Sequence, residues 1–208
     1  MIRKTRFFLA AVAGLALTLP SWAQTSTWKI DSAHSSAQFS VRHLMISNVR
    51  GEFARVEGAL QLDENDITRS SAEATIDANS LNTREARRDT HLKSADFFDV
   101  ANHPTIRFQS RKVEKAGEGA LRVTGDLTIR GVTKEVVLDV EGPTPAITGT
   151  RGEMRRGATA TTRINRQDFG VSWNRKLDAG GVVVGDEVKI TIDLELVKQA
   201  ESAASNSK

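Results

Sequence analysis

Four histidines, His34, His43, His91 and His103, are the side chains best suited to proton or metal chemistry near neutral pH. A metal centre needs three or four converging ligands, often from close local spacing. These four lie far apart along the chain and form no HExxH-type pair. The sequence therefore assigns no metal site and gives each histidine a structural hydrogen bond, with His34 and His43 as head-group candidates should a ligand be held. An anion against either ring would favour its protonated form. Asp31, Ser32, His34 and Ser35 supply the residue types of a nucleophile and its base. Neighbours on a strand point to alternate faces, however, and there is no nucleophile elbow and no phosphate-cradling glycine loop. Catalytic residues are assigned to none; a triad built from distant positions stays open, and an enzyme is the rival class.

The elements that would position these groups are strands. Val188, Ile190, Ile192, Leu194 and Leu196 alternate with Lys189, Thr191, Asp193 and Glu195, giving one apolar and one wet face. Leu121, Val123, Leu127 and Ile129 alternate in the same way, as do Ile106 with Phe108, and Ala37 with Phe39 and Val41. A short strand surrounds Trp28 to Ile30, and others run over residues 72–78, 132–140 and 158–164. Over residues 51–62, Phe53 has one parity while Val56, Leu60 and Leu62 have the other, so one extra residue near Ala54 or Arg55 predicts a β-bulge. Gly117-Glu118-Gly119, Gly142-Pro143 and residues 149–152 supply turns. The total is about eight strands with connections too short for crossover helices, hence an antiparallel sheet. Asn82 followed by Glu85 resembles a capping box opening one short helix toward Leu92. Its Arg84, Arg87, Arg88 and Lys93 read as a solvated face with Glu85 and Asp89 pairing locally, the alternative being a gate for an anionic head group. Arg88 and Asp89 are expected to pin the segment to the sheet.

Arg3, Lys4 and Arg6, the uncharged run from Phe7 to Leu19, Pro20, and Ser21-Trp22-Ala23 before Gln24 have the form of a cleaved signal peptide over residues 1–23. The apolar run is shorter than the ~20 residues of a membrane span. Export to the periplasm is expected, with secretion as the alternative. With no cysteine after residue 23, a lipid-anchored N-terminus is not expected, and neither disulfides nor thiol chemistry are available. The leader holds three of the 29 basic residues and none of the 26 acidic ones, so the mature chain is near neutral. No global field attracts nucleic acid or an anionic surface, and stable membrane insertion is not expected. Residues 24–197 form one domain, and residues 198–208 a polar tail.

One-sided antiparallel strands can close into a barrel or split into a sandwich. Small residues on the apolar faces, namely Ala37, Gly58, Ala72, Ala74, Ala78, Gly125 and Ala160, either permit close approach of strands or leave volume for a guest. Composition leaves the two readings open.

The motifs, in order, resemble the YceI-like family. They are Trp28-Lys29-Ile30-Asp31 with His34-Ser35; Phe39-Ser40-Val41-Arg42-His43-Leu44; Val49-Arg50-Gly51-Glu52-Phe53; Ser80-Leu81-Asn82-Thr83; and Arg88-Asp89-Thr90-His91-Leu92-Lys93-Ser94 with Asp96-Phe97-Phe98-Asp99. Then come Pro104-Thr105-Ile106-Arg107-Phe108, the stretch from Gly125 to Lys134, Ile164-Asn165-Arg166-Gln167-Asp168-Phe169-Gly170 and Gly185-Asp186-Glu187-Val188. Two departures stand out: His103 where the family usually has tyrosine, and Ala158 where an aromatic is common, both expected to alter the cavity mouth. The resemblance implies an all-β, lipocalin-like eight-stranded antiparallel barrel with one short helix between strands. It also implies an apolar channel for a polyisoprenoid or related amphiphile, export, and frequently a homodimer.

If a chain-like lipid binds, apolar side chains must line the channel. The lipid-binding candidates are Phe39, Phe53, Ile76, Phe97, Phe98, Phe108, Leu127 and Ile164, each of which could equally be ordinary core. Phe97 and Phe98, adjacent on an extended segment, are expected to point one into the core and one into the channel. The guest would be an isoprenoid quinone, polyprenyl phosphate or fatty amphiphile, with no other cofactor. A carrier or buffer is the leading class. The others are an enzyme using the same cavity and a stress-response partner protein whose interior is dry core.

Overall fold

The computed structural model describes residues 25–178 and 180–200. The expected leader and residues 201–208 of the tail lie outside the described residues. The alternating segments become strands β1 (Thr25–Ile30), β2 (Ser36–His43), β3 (Ser47–Phe53), β4 (Val56–Asp63), β5 (Ser71–Asp77), β6 (Leu81–Asn82), β7 (Thr105–Gly117), β8 (Ala120–Ile129), β9 (Val132–Glu141), β10 (Ile147–Thr148), β11 (Met154–Asn165) and β12 (Val184–Lys198). The helix α1 spans Ala86–Lys93.

All pairings are antiparallel, and eight strands close a ring in the order β1-β4-β5-β7-β8-β9-β11-β12 and back to β1. Closure removes the exposed edges that a sandwich would keep. β2 prolongs β1 along the same edge of β12, where Ile30 opposes Leu196 and Ser36 opposes Asp193. β3 prolongs β4 in the same manner, opposing β2 from Ala37↔Phe53 to His43↔Ser47. The two pairs are thus long bent strands, broken at residues 31–35 and at residues 54–55. Where a β-bulge was expected, the chain instead leaves β3 and enters β4 across two exposed residues, Ala54 and Arg55; Phe53 and Val56 on either side are both buried, so the change of parity still returns the apolar residues to one face. β12 also runs one residue into the expected tail, and the Gln199 N–H still donates to the Thr27 carbonyl at 2.8 Å.

The helix forms where expected but is capped differently. Asn82 accepts from the Arg84 N–H in a local turn, and the N-cap is Glu85, whose carboxylate accepts from the Arg87 N–H at 2.8 Å. Glu85 and Asp89 do not pair with the helix cations. Asp89 accepts from both the backbone N–H and the hydroxyl of buried Thr83, while Arg88 donates to that hydroxyl and to the Thr83 carbonyl. Arg88 and Asp89 therefore fasten α1 to Thr83, directly after β6, which pairs with β3.

The small residues divide. A Cβ at Gly58 (φ 147°) would lie 2.1 Å from the Glu73 carbonyl oxygen, and one at Gly125 would lie 2.5 Å from that of Gln109. Both glycines serve close strand approach. Ala37, Ala72, Ala74 and Ala160 instead face an interior space.

Candidate functional site

Inward-facing side chains from around the ring leave a cavity of ≈ 230 Å³ with an almost wholly apolar wall. A water requires only ~10–15 Å³ on this measure, so the space suits a chain rather than an isolated water. All eight residues singled out above, Phe39, Phe53, Ile76, Phe97, Phe98, Phe108, Leu127 and Ile164, lie on its wall. Missing from that set were Val188, Ile190, Ile192 and Leu194 of β12, whose alternation already marked them as inward, and Val171 and Phe169, for which no periodic signal exists.

Phe97 and Phe98 lie in a turn after α1, not on an extended segment, so the alternation expected of them fails, and both reach the cavity. Phe97 packs against His91 and Trp173 with ring centroids 5.0 Å apart for His91–Trp173 and 5.2 Å for Phe97–Trp173. Phe98 meets Phe53 edge-on at 5.5 Å, and Phe53 meets Phe39 at 5.9 Å. These rings close the end of the barrel nearest α1. The loops behind them are tied by Arg130, which donates to the Ala95 and Gly170 carbonyls at 2.8 and 2.6 Å.

Arg166 is the least conspicuous anchor of this end. It is only 5% exposed, and its guanidinium donates to the carbonyls of Gly185, Val171, Trp173 and Val184 and to the Asp186 carboxylate. Burial pushes its pKa below the ordinary arginine value against the pull of Asp186. At the opposite end Trp28 is 1% exposed, its indole N–H donates to Ser26, and the Arg156 guanidinium stacks on its ring at 4.7 Å while pairing with Glu64 at 3.0 Å.

Neither head-group candidate lies on the cavity wall. His43 ends β2. His34 is 59% exposed and bonds Asp31 through Nδ1 at 2.9 Å. His91 bonds Asp96 at 2.8 Å, and His103 packs over Gly131, away from the wall; of the two departures from the family pattern, only Ala158 lines the cavity. Folding brings His34 together with Asp31 and Glu195, a grouping its spacing did not announce. Arg155 already bridges both carboxylates and also holds Glu153 at 2.7 Å, so a guanidinium occupies the place where a cation would be held. Buried Ser35 bonds the Glu195 backbone instead of His34, leaving the nucleophile and base types of this segment unassembled.

Arg155 first, then His34, holds the Asp31 carboxyl down at about 2. Because the folded value lies below the unfolded one, the stabilisation is complete above about pH 4 and is lost as pH falls toward 2. Asp31→Asn is therefore expected to lower the thermal midpoint at pH 7, with the gap from the parent closing between pH 4 and 2. A gap unchanged across that window would remove the ion pair as its cause.

A closed antiparallel barrel around an apolar interior defines a lipocalin-like architecture, plugged here by one helix-bearing segment. Within that class, residues 28–196 match the model of the YceI-like domain, and the chain belongs to that family. UPF0312 proteins of Staphylococcus aureus are 38% identical over 170 residues, covering 82% of this chain and 96% of theirs. The Campylobacter jejuni YceI protein is similar in structure, with a TM-score of 0.63 at 30% identity, over 76% of this chain and 90% of that one. A polyisoprenoid binding domain from Saccharophagus degradans shares the fold at a TM-score of 0.58 and 15% identity, over 83% of this chain and 98% of that one.

Proposed function

We propose that this chain is an exported carrier or buffer of a long-chain isoprenoid or related amphiphilic lipid, held with its hydrocarbon inside the barrel. The observation that carries this reading is a wall made almost entirely of apolar side chains around a closed interior. Such a wall offers a hydrocarbon about 0.8 kcal/mol per buried CH₂ and little to a polar substrate. Affinity then rests on the tail, which agrees with the position of His34 and His43 off the wall. The fold shared with a polyisoprenoid binding domain supports an isoprenoid guest, with quinones, polyprenyl phosphates and fatty amphiphiles as the chemical range. The leader-like pattern over residues 1–23 supports a periplasmic setting. A homodimer belongs to the same proposal, as does a role in binding rather than catalysis.

The decisive experiment is native mass spectrometry of the mature protein from the exported fraction, followed by organic extraction. A discrete added mass extracting unchanged as a prenyl or acyl lipid is expected. A bare mass that stays bare after incubation with isoprenoid quinones and fatty amphiphiles would overturn the carrier reading.

A further inference from the structure

The β2–β3 hairpin reverses through His43-Leu44-Met45-Ile46, the Ile46 N–H donating to the His43 carbonyl at 3.1 Å. Leu44 and Met45 have φ of 50° and 63°. Positive φ at both central positions marks the mirror-image hairpin turn that asparagine and glycine ordinarily fill. Here two bulky apolar residues adopt it, and the tip projects instead of packing: Met45 is 49% exposed and Ile46 77% exposed.

The charge around this tip is predominantly positive. Residues 42–50 contain Arg42 and Arg50 and no acid. Ser40 is in register with Arg50 on one side and Lys189 on the other, so these cations flank it on the two neighbouring strands. The adjoining segment, joined to the tip by the Leu44 N–H to Val183 carbonyl bond of 2.8 Å, adds Arg175 and Lys176 against one acid, Asp178. Arg42, Arg50, Arg175, Lys176 and Lys189 are all exposed, and among the described residues none has a carboxylate within 4.0 Å. The nearby Asp186 and Glu187 are already paired with Arg166 and Arg163.

An apolar prominence ringed by uncommitted cations is the chemistry of a peripheral membrane contact, where apolar side chains enter the interface and cations meet anionic head groups. A two-fold contact with a second copy would set the same cations against each other. We propose that the β2–β3 hairpin tip docks on the surface of an anionic lipid bilayer. The near-neutral mature chain supplies no long-range field, so the attraction acts within about a Debye length of ~10 Å. Docking there would bring the end of the cavity lined by Val41 and Val184 toward the lipid. This contact is separate from cargo, because it is measurable on protein stripped of any guest.

The test is co-sedimentation of the full mature chain, after extraction, with vesicles of phosphatidylglycerol and phosphatidylethanolamine or of phosphatidylcholine alone. Binding to the anionic vesicles is expected, weakening as salt is raised. Arg42→Ser combined with Arg50→Ser should weaken it roughly 30-fold, and Ile46→Ser about tenfold. Leu44→Asn with Met45→Gly relieves the turn, so it should weaken docking while raising the thermal midpoint, which separates lost docking from lost folding. Absence of binding to anionic vesicles, or unchanged binding by these variants, would overturn the proposal. A dimer dissolved by Ile46→Ser, with no vesicle binding by the parent, would also overturn it and assign the tip to a second copy.

Discussion

Arg166→Ala is expected to lower the thermal midpoint of the protein by roughly 10 °C. The side chain is buried and satisfies four backbone carbonyls and one carboxylate at the end of the barrel beside α1. Its loss leaves those acceptors unpaired in a place water reaches poorly, and breaking a buried charged network typically costs ~3–5 kcal/mol. For a chain of this length each kcal/mol moves the midpoint by about 2–4 °C. Arg166→Lys should recover little, because one ammonium cannot span carbonyls on both sides of a planar fork. Trp173, whose carbonyl Arg166 holds at 3.0 Å, reports the local consequence as a red shift of its emission. A midpoint within about 3 °C of the parent would show that the loop over residues 170–183 is held by its apolar contacts alone.

Ala74→Phe is expected to reduce lipid loading at least tenfold without unfolding the protein. Ala74 faces the cavity from β5, in register with Gly58 on one side and Phe108 on the other, so a larger side chain extends into the space a guest would fill. The midpoint of the empty variant should stay level or rise, because the ring replaces void with contacts. In a close-packed interior the same change would overpack, costing about 1–3 kcal/mol. Lipid recovered by extraction and thermal midpoint, read together, thus distinguish a channel from dry core. Gly125 is no substitute probe: its Cβ position lies 2.5 Å from a backbone oxygen, and any side chain there strains the sheet.

Much of the barrel was legible because period-two alternation is a local signal. Strands facing one apolar interior announce themselves residue by residue, and even the break at Ala54 and Arg55 shows as a change of parity. Phe39 and Phe108 were legible for the same reason, whereas Phe97 and Phe98 reach the cavity from a turn that alternation does not describe. What the sequence concealed depends on partners distant along the chain. Gly58 and Ala74 look alike as small inward residues, yet one admits a neighbouring backbone and the other faces open volume. His34 looked available for a head group until folding placed Asp31 beside it and Arg155 beyond. Arg166 gave no sign of burial, since arginine is seldom internal and the carbonyls it serves lie up to 19 residues away. The cap of α1 moved from Asn82 to Glu85 because Asn82 was drawn into a turn of its own.

β12 carries a consequence for how the molecule is made. Its 15 residues lie between β11 on one edge and both β1 and β2 on the other. β1 and β2 each have one neighbour nearby in the chain, β4 and β3, but their other edge finds its partner only in the last strand. A chain emerging N-terminus first cannot seal its wall stepwise, because the seam waits for residues 184–198. Pairing across such separations gives a high contact order, and with it slow folding and a long interval with sticky edges. The topology sets an order of assembly in which local hairpins can form early but the barrel cannot close until its last strand is available.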